Sequence, residues 1–135
     1  MDNIEKIQKI IHAFSHIIVA HDDLKMIEVK GKQIISFKIY LKDDSTLHIY
    51  QSLFLLKLKF KYNYYWFKAD NTLIIGWDNA EHHHQVSTMP HHKHVGTQDN
   101  IQESEEMTLE KVLKYITKII GFIGIVYGTI KFLAL

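Results

Sequence analysis

The sequence predicts an α+β fold in which an antiparallel β-meander of four to five strands carries a single layer of helices, one from each end of the chain. Apolar residues recur at helical spacing near the N-terminus and again near the C-terminus, whereas through the middle of the chain they alternate with polar residues. The chain has 135 residues, of which 47% are hydrophobic, so it has enough apolar side chains for one packed domain.

The first predicted element is an amphipathic helix over residues 3–19. Isoleucines recur from Ile4 to Ile18 at three- and four-residue intervals, and Asp2 or Asn3 precedes them as a candidate N-cap. His12 and His16 would then lie one turn apart, as a solvated pair or, less simply, as two metal ligands.

The middle of the chain, from Met26 to Trp77, has the period-two pattern and the β-branched and aromatic residues typical of strands. Lys42–Ser45 and Ala69–Asn71 have turn composition. The run Leu53–Phe67 is predicted to be one long strand with an apolar face and a basic face, the latter carrying Lys57, Lys59 and Lys61.

The C-terminal third combines an irregular histidine loop with a helix. Residues 78–106 show almost no periodicity and include Pro90, the only proline, so they are predicted to form a functional loop. Thr108 is a candidate helix cap before apolar residues at helical spacing. Residues 1–118 would form one domain, and the apolar extension 119–135 would enter a membrane, dock on a partner or be buried.

Composition narrows the function classes. The chain has no cysteine, which excludes a disulfide framework and a thiolate zinc site. A formal net charge of +1 provides no strong overall field for nucleic acid, so any basic surface must be local. The N-terminus lacks signal-peptide features, which favours a cytoplasmic location, with membrane association through 119–135 as the alternative.

Six of the ten histidines fall within 13 residues, from His82 to His94. One interpretation is general acid–base chemistry, because imidazole exchanges protons near neutral pH. Metal-independent RNA cleavage needs a base for the 2′-hydroxyl, an acid for the leaving oxygen and a cation for the phosphate. Two of these histidines with Lys93 could supply these roles, and Asp78 could orient one imidazole.

Two other interpretations remain open for the same segment. His82, His92 and His94 could bind a divalent metal such as zinc, with Asp78 as a carboxylate ligand, although the spacing matches no standard zinc motif. The segment could also be a solvated polar loop. Separately, the basic face is a candidate nucleic-acid surface, or simply an edge guarded by lysines; its candidate residues are Lys57, Lys59 and Lys61, with Tyr64 and Trp66 for base stacking.

Two motifs resemble the TumE-like toxin family of prokaryotic type II toxin–antitoxin systems. They are Trp77-Asp78-Asn79-Ala80-x-His82-His83 and Pro90-His91-His92-Lys93-His94, followed by Leu109-Glu110-x-Val112-Leu113. The resemblance covers about residues 33 to 116. It implies a toxin that acts on RNA and is held inactive by a helix-turn-helix antitoxin encoded nearby. The candidate catalytic residues that it implies, by matching position, are Asp78, His82, His83, His91, His92, Lys93 and His94.

This chain departs from the family pattern at three candidate active-site positions. Gln51 stands where the family often has glutamate, Tyr65 where it often has histidine, and Gly76 where it often has arginine. These departures raise a first alternative: a non-catalytic or decayed toxin that still binds antitoxin or nucleic acid. A histidine metal-binding protein is the second alternative, and a homo-oligomer is compatible with all three functions.

Overall fold

The computed structural model describes residues 3–81 and 86–133, with side chains described as far as residue 121. In chain order its elements are α1 (Ile4–Ala13), β1 (Ile18–His21), β2 (Met26–Val29), β3 (Lys32–Leu41), β4 (Thr46–Phe54), β5 (Lys59–Phe67), β6 (Leu73–Asp78), β7 (His92–Val95), β8 (Ile101–Glu103) and α2 (Leu109–Leu133).

The strands form one antiparallel sheet in the order β1-β3-β4-β5-β6-β7-β8, with β2 also paired to β3. The α+β class and the meander are therefore confirmed. The prediction of four to five strands is wrong, because the part of the chain that the structure describes contributes eight strands to the sheet.

One core joins both helices to the same side of the sheet. Its strand residues alternate along β3, β4 and β5, and they include Phe37, Ile49 and Tyr64, which are cross-strand neighbours. Ile7 of α1 and Leu113 of α2 belong to the same buried cluster. We call this side of the sheet the inner face and the opposite side the outer face.

The predicted helix 3–19 is too long, because α1 ends at Ala13. Its start is confirmed, since the Asn3 side chain accepts a hydrogen bond from the Lys6 amide at 2.8 Å. The β-branched run that begins at Ile17 instead leads into β1, where Ile18 pairs with Leu41. His16 consequently lies beyond the helix and forms no helical pair with His12.

The predicted strand Leu53–Phe67 is two strands, β4 and β5, joined by a turn over residues 55–58. Leu58 has a positive φ of 47°, and Leu56 is 87% exposed. Apolar residues and lysines continue to alternate through the turn, although the apolar residues of the turn are not buried. The sequence pattern therefore concealed the break between the two strands. Lys57 therefore lies in the turn, while Lys59 and Lys61 lie on β5.

The predicted loop 78–106 contains two strands, β7 and β8, which extend the sheet beyond β6. The two buried residues of β7 are His92 and His94. Hydrophobic periodicity could not detect this strand, because imidazoles occupy the positions that aliphatic side chains usually fill.

The remaining boundaries agree with the sequence. Turns lie at 42–45 and 69–71, and the Thr108 hydroxyl accepts a hydrogen bond from the Lys111 amide at 3.2 Å. The backbone of α2 continues through residue 118 to Leu133. Within the described residues, no helix combines the length and hydropathy that a membrane span requires. Membrane contact through 119–135 stays a prediction.

The first testable prediction concerns Tyr62, whose fully buried hydroxyl accepts a hydrogen bond from the Met107 amide at 3.2 Å and contacts His91 Nδ1 at 2.8 Å. We expect Tyr62→Phe to lower the free energy of unfolding by about 1–3 kcal/mol, because it leaves a buried amide without this acceptor. Urea denaturation measures the loss. The exposed Tyr115→Phe is the control, with a change within about 0.5 kcal/mol; equal effects of the two variants would contradict the prediction.

Candidate functional site

The outer face brings polar residues of the three strands β5, β6 and β7 into register. Asn63 on β5, Asp78 on β6 and His92 on β7 are successive cross-strand neighbours. One row away, Tyr65 and His94 flank Gly76 in the same way. Cross-strand neighbours share a face of the sheet, so strand pairing alone places these side chains together.

Asp78, His92 and His94 form a buried cluster at the β6–β7 pair. Asp78 Oδ1 lies 2.9 Å from His92 Nε2, and Oδ2 lies 3.2 Å from His94 Nε2. The three residues are 4%, 0% and 3% exposed, respectively. The two rings meet edge to face with their centroids 5.0 Å apart. Such proximity allows one cation or one proton to be shared among the three groups.

Backbone carbonyls fix the orientation of both rings. His92 Nδ1 lies 2.8 Å from the Pro90 carbonyl, and His94 Nδ1 lies 2.8 Å from the Gln98 carbonyl. A carbonyl oxygen only accepts hydrogen bonds, so each Nδ1 is assigned a proton. Each Nε2 is thereby directed at the Asp78 carboxylate.

Tyr65 and Gly76 complete the cluster. The Tyr65 hydroxyl donates to Asp78 Oδ2 at 2.6 Å, and its ring stacks near His94 with a centroid separation of 6.1 Å. Burial raises the pKa of Tyr65, and the hydrogen bond to Asp78 raises it further, so the phenol stays protonated at neutral pH. The ring lies directly over Gly76, where a Cβ atom would overlap it.

Two other described candidates, Lys93 and His91, do not join the cluster. Lys93 pairs with Trp77, whose row belongs to the inner face, and is therefore opposite His92 and His94. His91 stacks on the buried Tyr62. His82 and His83 lie outside the described residues. Of the five predicted catalytic residues that the structure describes, three come together.

Gln51 lies apart from Tyr65 and Gly76, the other two positions at which this chain departs from the family pattern. It is buried on the inner face and donates a hydrogen bond to the Tyr64 hydroxyl at 2.8 Å. Tyr65 and Gly76, by contrast, touch on the outer face. The three positions therefore do not form one site in this chain.

An open cleft of about 270 Å³ lies beside the cluster on the outer face. Its side chains are aromatic, amide, hydroxyl and imidazole groups: Ser36, His48, Tyr50, Asn63, Tyr65, Phe67 and Gln98. Burial lowers the pKa of His48, and the nearby Lys38 lowers it further, which favours neutral imidazole at pH 7. Tyr65 and Gln98 contact both the cleft and the cluster.

A second depression on the outer face, of about 280 Å³, has four lysines among its lining residues. It is lined by Lys32, Ser52, Phe54, Lys57, Lys59 and Lys61, and we call it the lysine groove. The three lysines predicted from the sequence are therefore neighbours, although Lys57 arrives from the turn. Lys59 also forms an ion pair with Glu81 at 2.9 Å.

The prediction that Tyr64 and Trp66 stack on bases is wrong, because they are 1% and 2% exposed on the inner face. Trp66 donates to the Ser45 hydroxyl at 2.8 Å inside the protein. The half-exposed aromatics are the alternate residues, Tyr65 and Phe67. Their alternation with apolar core positions was the available signal, and it would also have identified His48 between Leu47 and Ile49.

The three cluster residues also form a set that could hold a metal ion. One ligand atom from each of Asp78, His92 and His94 lies within 4.8 Å of the others. This overlaps the ligand set predicted from the sequence, which included His82.

The packing of Tyr65 on Gly76 predicts a specific coupling. We expect Gly76→Ala to destabilise the fold by about 1–3 kcal/mol, because the new methyl group overlaps the ring, and we expect that cost to disappear in a Tyr65→Ala background. Urea denaturation of the four proteins measures it. Gly121→Ala, with open space at an exposed helical position, is the control and should stabilise by about 0.5–1 kcal/mol. An unchanged Gly76→Ala cost without Tyr65 would refute the coupling.

Comparison with known proteins is consistent with the motifs. No curated protein and no solved structure matches this chain. The model of the family described as toxin TumE matches residues 7–120, which includes the whole sheet, the Asp78 cluster and the first half of α2. Because the match covers most of the chain, the protein belongs to the toxin TumE family.

Proposed function

We propose that this protein is the toxin of a type II toxin–antitoxin pair and that it binds and cleaves RNA on the outer face of its sheet. The observation that carries the proposal is the shared location of the lysine groove, the aromatic cleft and the Asp78 cluster on that face. Family membership supports the toxin function. The RNA target and the cleavage are inferences from surface chemistry.

The lysine groove supplies the electrostatic part of RNA binding. Lys32, Lys57 and Lys61 direct positive charge to one end of the outer face, whereas the chain as a whole carries only +1. Phosphate contacts of this kind position a nucleic acid without reading its sequence. The groove therefore fits the phosphates of a strand that continues towards the cleft.

The aromatic cleft supplies a place for an unstacked base. Tyr50, Tyr65 and Phe67 present rings, and Asn63 and Gln98 present amides that donate and accept hydrogen bonds. Single-stranded RNA is recognised in this way, by stacking on aromatic side chains and hydrogen bonding at base edges. A cleft of about 270 Å³ suits one nucleotide better than a duplex.

His48 is the imidazole in the cleft and is proposed as the base for the 2′-hydroxyl. Its lowered pKa favours the neutral form, which accepts a proton at pH 7. The metal-independent scheme inferred from the sequence instead used two clustered histidines with Lys93. In the structure, both ring nitrogens of His92 and His94 face oxygen acceptors, and Lys93 lies on the other face.

Family membership implies an antitoxin partner. We propose a helix-turn-helix antitoxin encoded beside the toxin, as the sequence motifs suggested, and a cytoplasmic site of action, where RNA and antitoxin meet. A homo-oligomer and a membrane contact through 119–135 are compatible with this proposal but have no supporting contact among the described residues.

A non-catalytic toxin is the second candidate, and the burial of the cluster favours it. His92 is 0% exposed and Asp78 is 4% exposed, so RNA would touch them only after the neighbouring chain moves. Such a toxin would bind RNA on the outer face without breaking it.

The lysine groove makes the RNA affinity testable. We expect the triple variant Lys32→Ala, Lys57→Ala, Lys61→Ala to bind short single-stranded RNA at least about tenfold more weakly near 0.1 M salt. The slope of log affinity against log salt should become about 2 less steep, because three phosphate contacts are lost. Fluorescence anisotropy measures both values. A triple alanine variant of Lys9, Lys42 and Lys114, which lie outside the groove, is the control; equal weakening in both would remove the groove from the proposal.

Induction in a bacterial host tests the toxin function and the chemistry together. We expect wild type to arrest growth and fragment cellular RNA, and co-expression of the adjacent gene to restore growth. His48→Gln should lower the cleavage rate of the purified protein by at least about 100-fold, because it removes the proposed base for the 2′-hydroxyl. The exposed His12→Gln is the control. Growth arrest with intact RNA would select the non-catalytic candidate, and the absence of arrest would refute a toxin acting on RNA.

A further inference from the structure

We propose that Asp78, His92 and His94 bind one divalent first-row transition-metal ion, with Tyr65 positioning the carboxylate. This inference names a cofactor for the cluster, and it rests on the proposed function only for the ion's role in RNA cleavage. Binding itself follows from the geometry of the three side chains and stands or falls separately.

The lone pairs of the His92 and His94 rings point towards one carboxylate. Each Nδ1 donates to a backbone carbonyl, so the neutral form of each ring has its lone pair on Nε2. Both Nε2 atoms are aimed at the oxygens of one carboxylate, at 2.9 and 3.2 Å. A carboxylate that faces two ring nitrogens requires positive charge between them, which a metal ion supplies to all three groups at once.

The separations of the candidate ligand atoms also favour one bound ion. Two donors that each lie about 2.1 Å from one ion, at roughly 90–100° to each other, are about 3.0–3.2 Å apart. The separation of 3.2 Å between His94 Nε2 and Asp78 Oδ2 falls in this range, and the separation of 2.9 Å between His92 Nε2 and Asp78 Oδ1 lies just below it. All three ligand atoms also lie within 4.8 Å of one another, which is close enough for a single ion. A small adjustment of side chains, without a change of strand register, would complete the coordination.

An outer layer of hydrogen bonds surrounds the three candidate ligands. Histidines that bind metals usually donate their second ring N–H to a carbonyl or carboxylate, which fixes the ring and raises its basicity. Pro90 and Gln98 provide these carbonyls for His92 and His94. Ligating carboxylates are also hydrogen-bonded, and Asp78 accepts from the Tyr65 hydroxyl at 2.6 Å and from the Ala80 amide at 3.0 Å. All three candidate ligands therefore have outer contacts of the expected kind.

The donor set selects the class of ion. Two imidazoles and one carboxylate suit zinc, iron(II), cobalt and nickel, whereas magnesium and calcium prefer oxygen ligands throughout. Three protein ligands also leave a coordination position for water or a phosphate oxygen, as catalytic sites do. Bound beside the cleft, the ion would stabilise the charge that develops on a phosphodiester once the neighbouring chain moves to admit RNA.

Zinc chloride and cobalt(II) chloride are the probes for a full-length protein purified without an affinity tag. We expect one high-affinity equivalent of zinc by isothermal titration calorimetry and visible absorption bands on cobalt(II) binding. Asp78→Asn and His94→Gln should each weaken zinc binding by at least about 100-fold. His12→Gln, which changes an exposed imidazole on α1, is the control and should bind as wild type does.

Two further measurements allow for variants that do not fold. Zinc should raise the melting temperature of wild type by about 5 °C or more, and a chelator should reverse the change. Tyr65→Phe keeps the ring over Gly76 but loses the hydroxyl, and it should weaken zinc binding by about 10–100-fold. Wild-type zinc affinity in Tyr65→Phe and in every folded cluster variant would overturn the proposal, as would a wild-type protein that zinc neither binds nor stabilises.

The outcomes separate this site from the proposed function. Zinc binding that depends on Asp78, in a protein that leaves RNA intact, would support the metal site and refute the cleavage. RNA cleavage that persists in a chelator and in Asp78→Asn would support a ribonuclease and overturn the metal's role in it.

Discussion

The carboxylate of Asp78 is the group on which the pairing of β6 with β7 and the candidate site depend. A buried carboxylate is costly unless several donors or cations surround it. Here Oδ1 accepts the Ala80 amide and meets His92, while Oδ2 accepts the Tyr65 hydroxyl and meets His94. These contacts hold the polar strand β7 beside β6, although β7 has few aliphatic side chains to bury. The same group that organises the site therefore also holds this part of the fold.

The sheet separates packing from chemistry by the alternation of its strands. On β5, Tyr62 and Tyr64 belong to the core, whereas Asn63 and Tyr65 reach the opposite side. Buried hydroxyls and amides on the inner face are satisfied locally, as in the contact between Gln51 and Tyr64. The outer face is consequently available for polar residues whose arrangement follows from strand register. A shift of one residue in β7 would replace His92 and His94 on this face by Lys93 and either His91 or Val95.

The class of fold was predictable from the sequence, and the residues of the candidate site were only partly so. Helix caps, two turns and the strand character of β3 to β6 follow from short-range patterns. The turn after Phe54 and the strand β7 do not follow from such patterns. Exposed leucines in the turn continue the alternating pattern of a strand, and buried histidines give β7 the composition of a polar loop. Asp78, His92 and His94 were among the predicted residues. Tyr65 was noted only as a departure from the family, since its contact with Asp78 depends on the pairing of β5 with β6.

Tyr65 and Gly76 limit each other's side chains. The Tyr65 ring occupies the space in which a Cβ atom at position 76 would lie. An arginine at 76 would have to share the space above the strand with the phenol ring, so it meets a steric barrier. A side chain at position 76 therefore requires the ring at position 65 to move or to be replaced by a smaller group, and the residue at one position restricts the choice at the other.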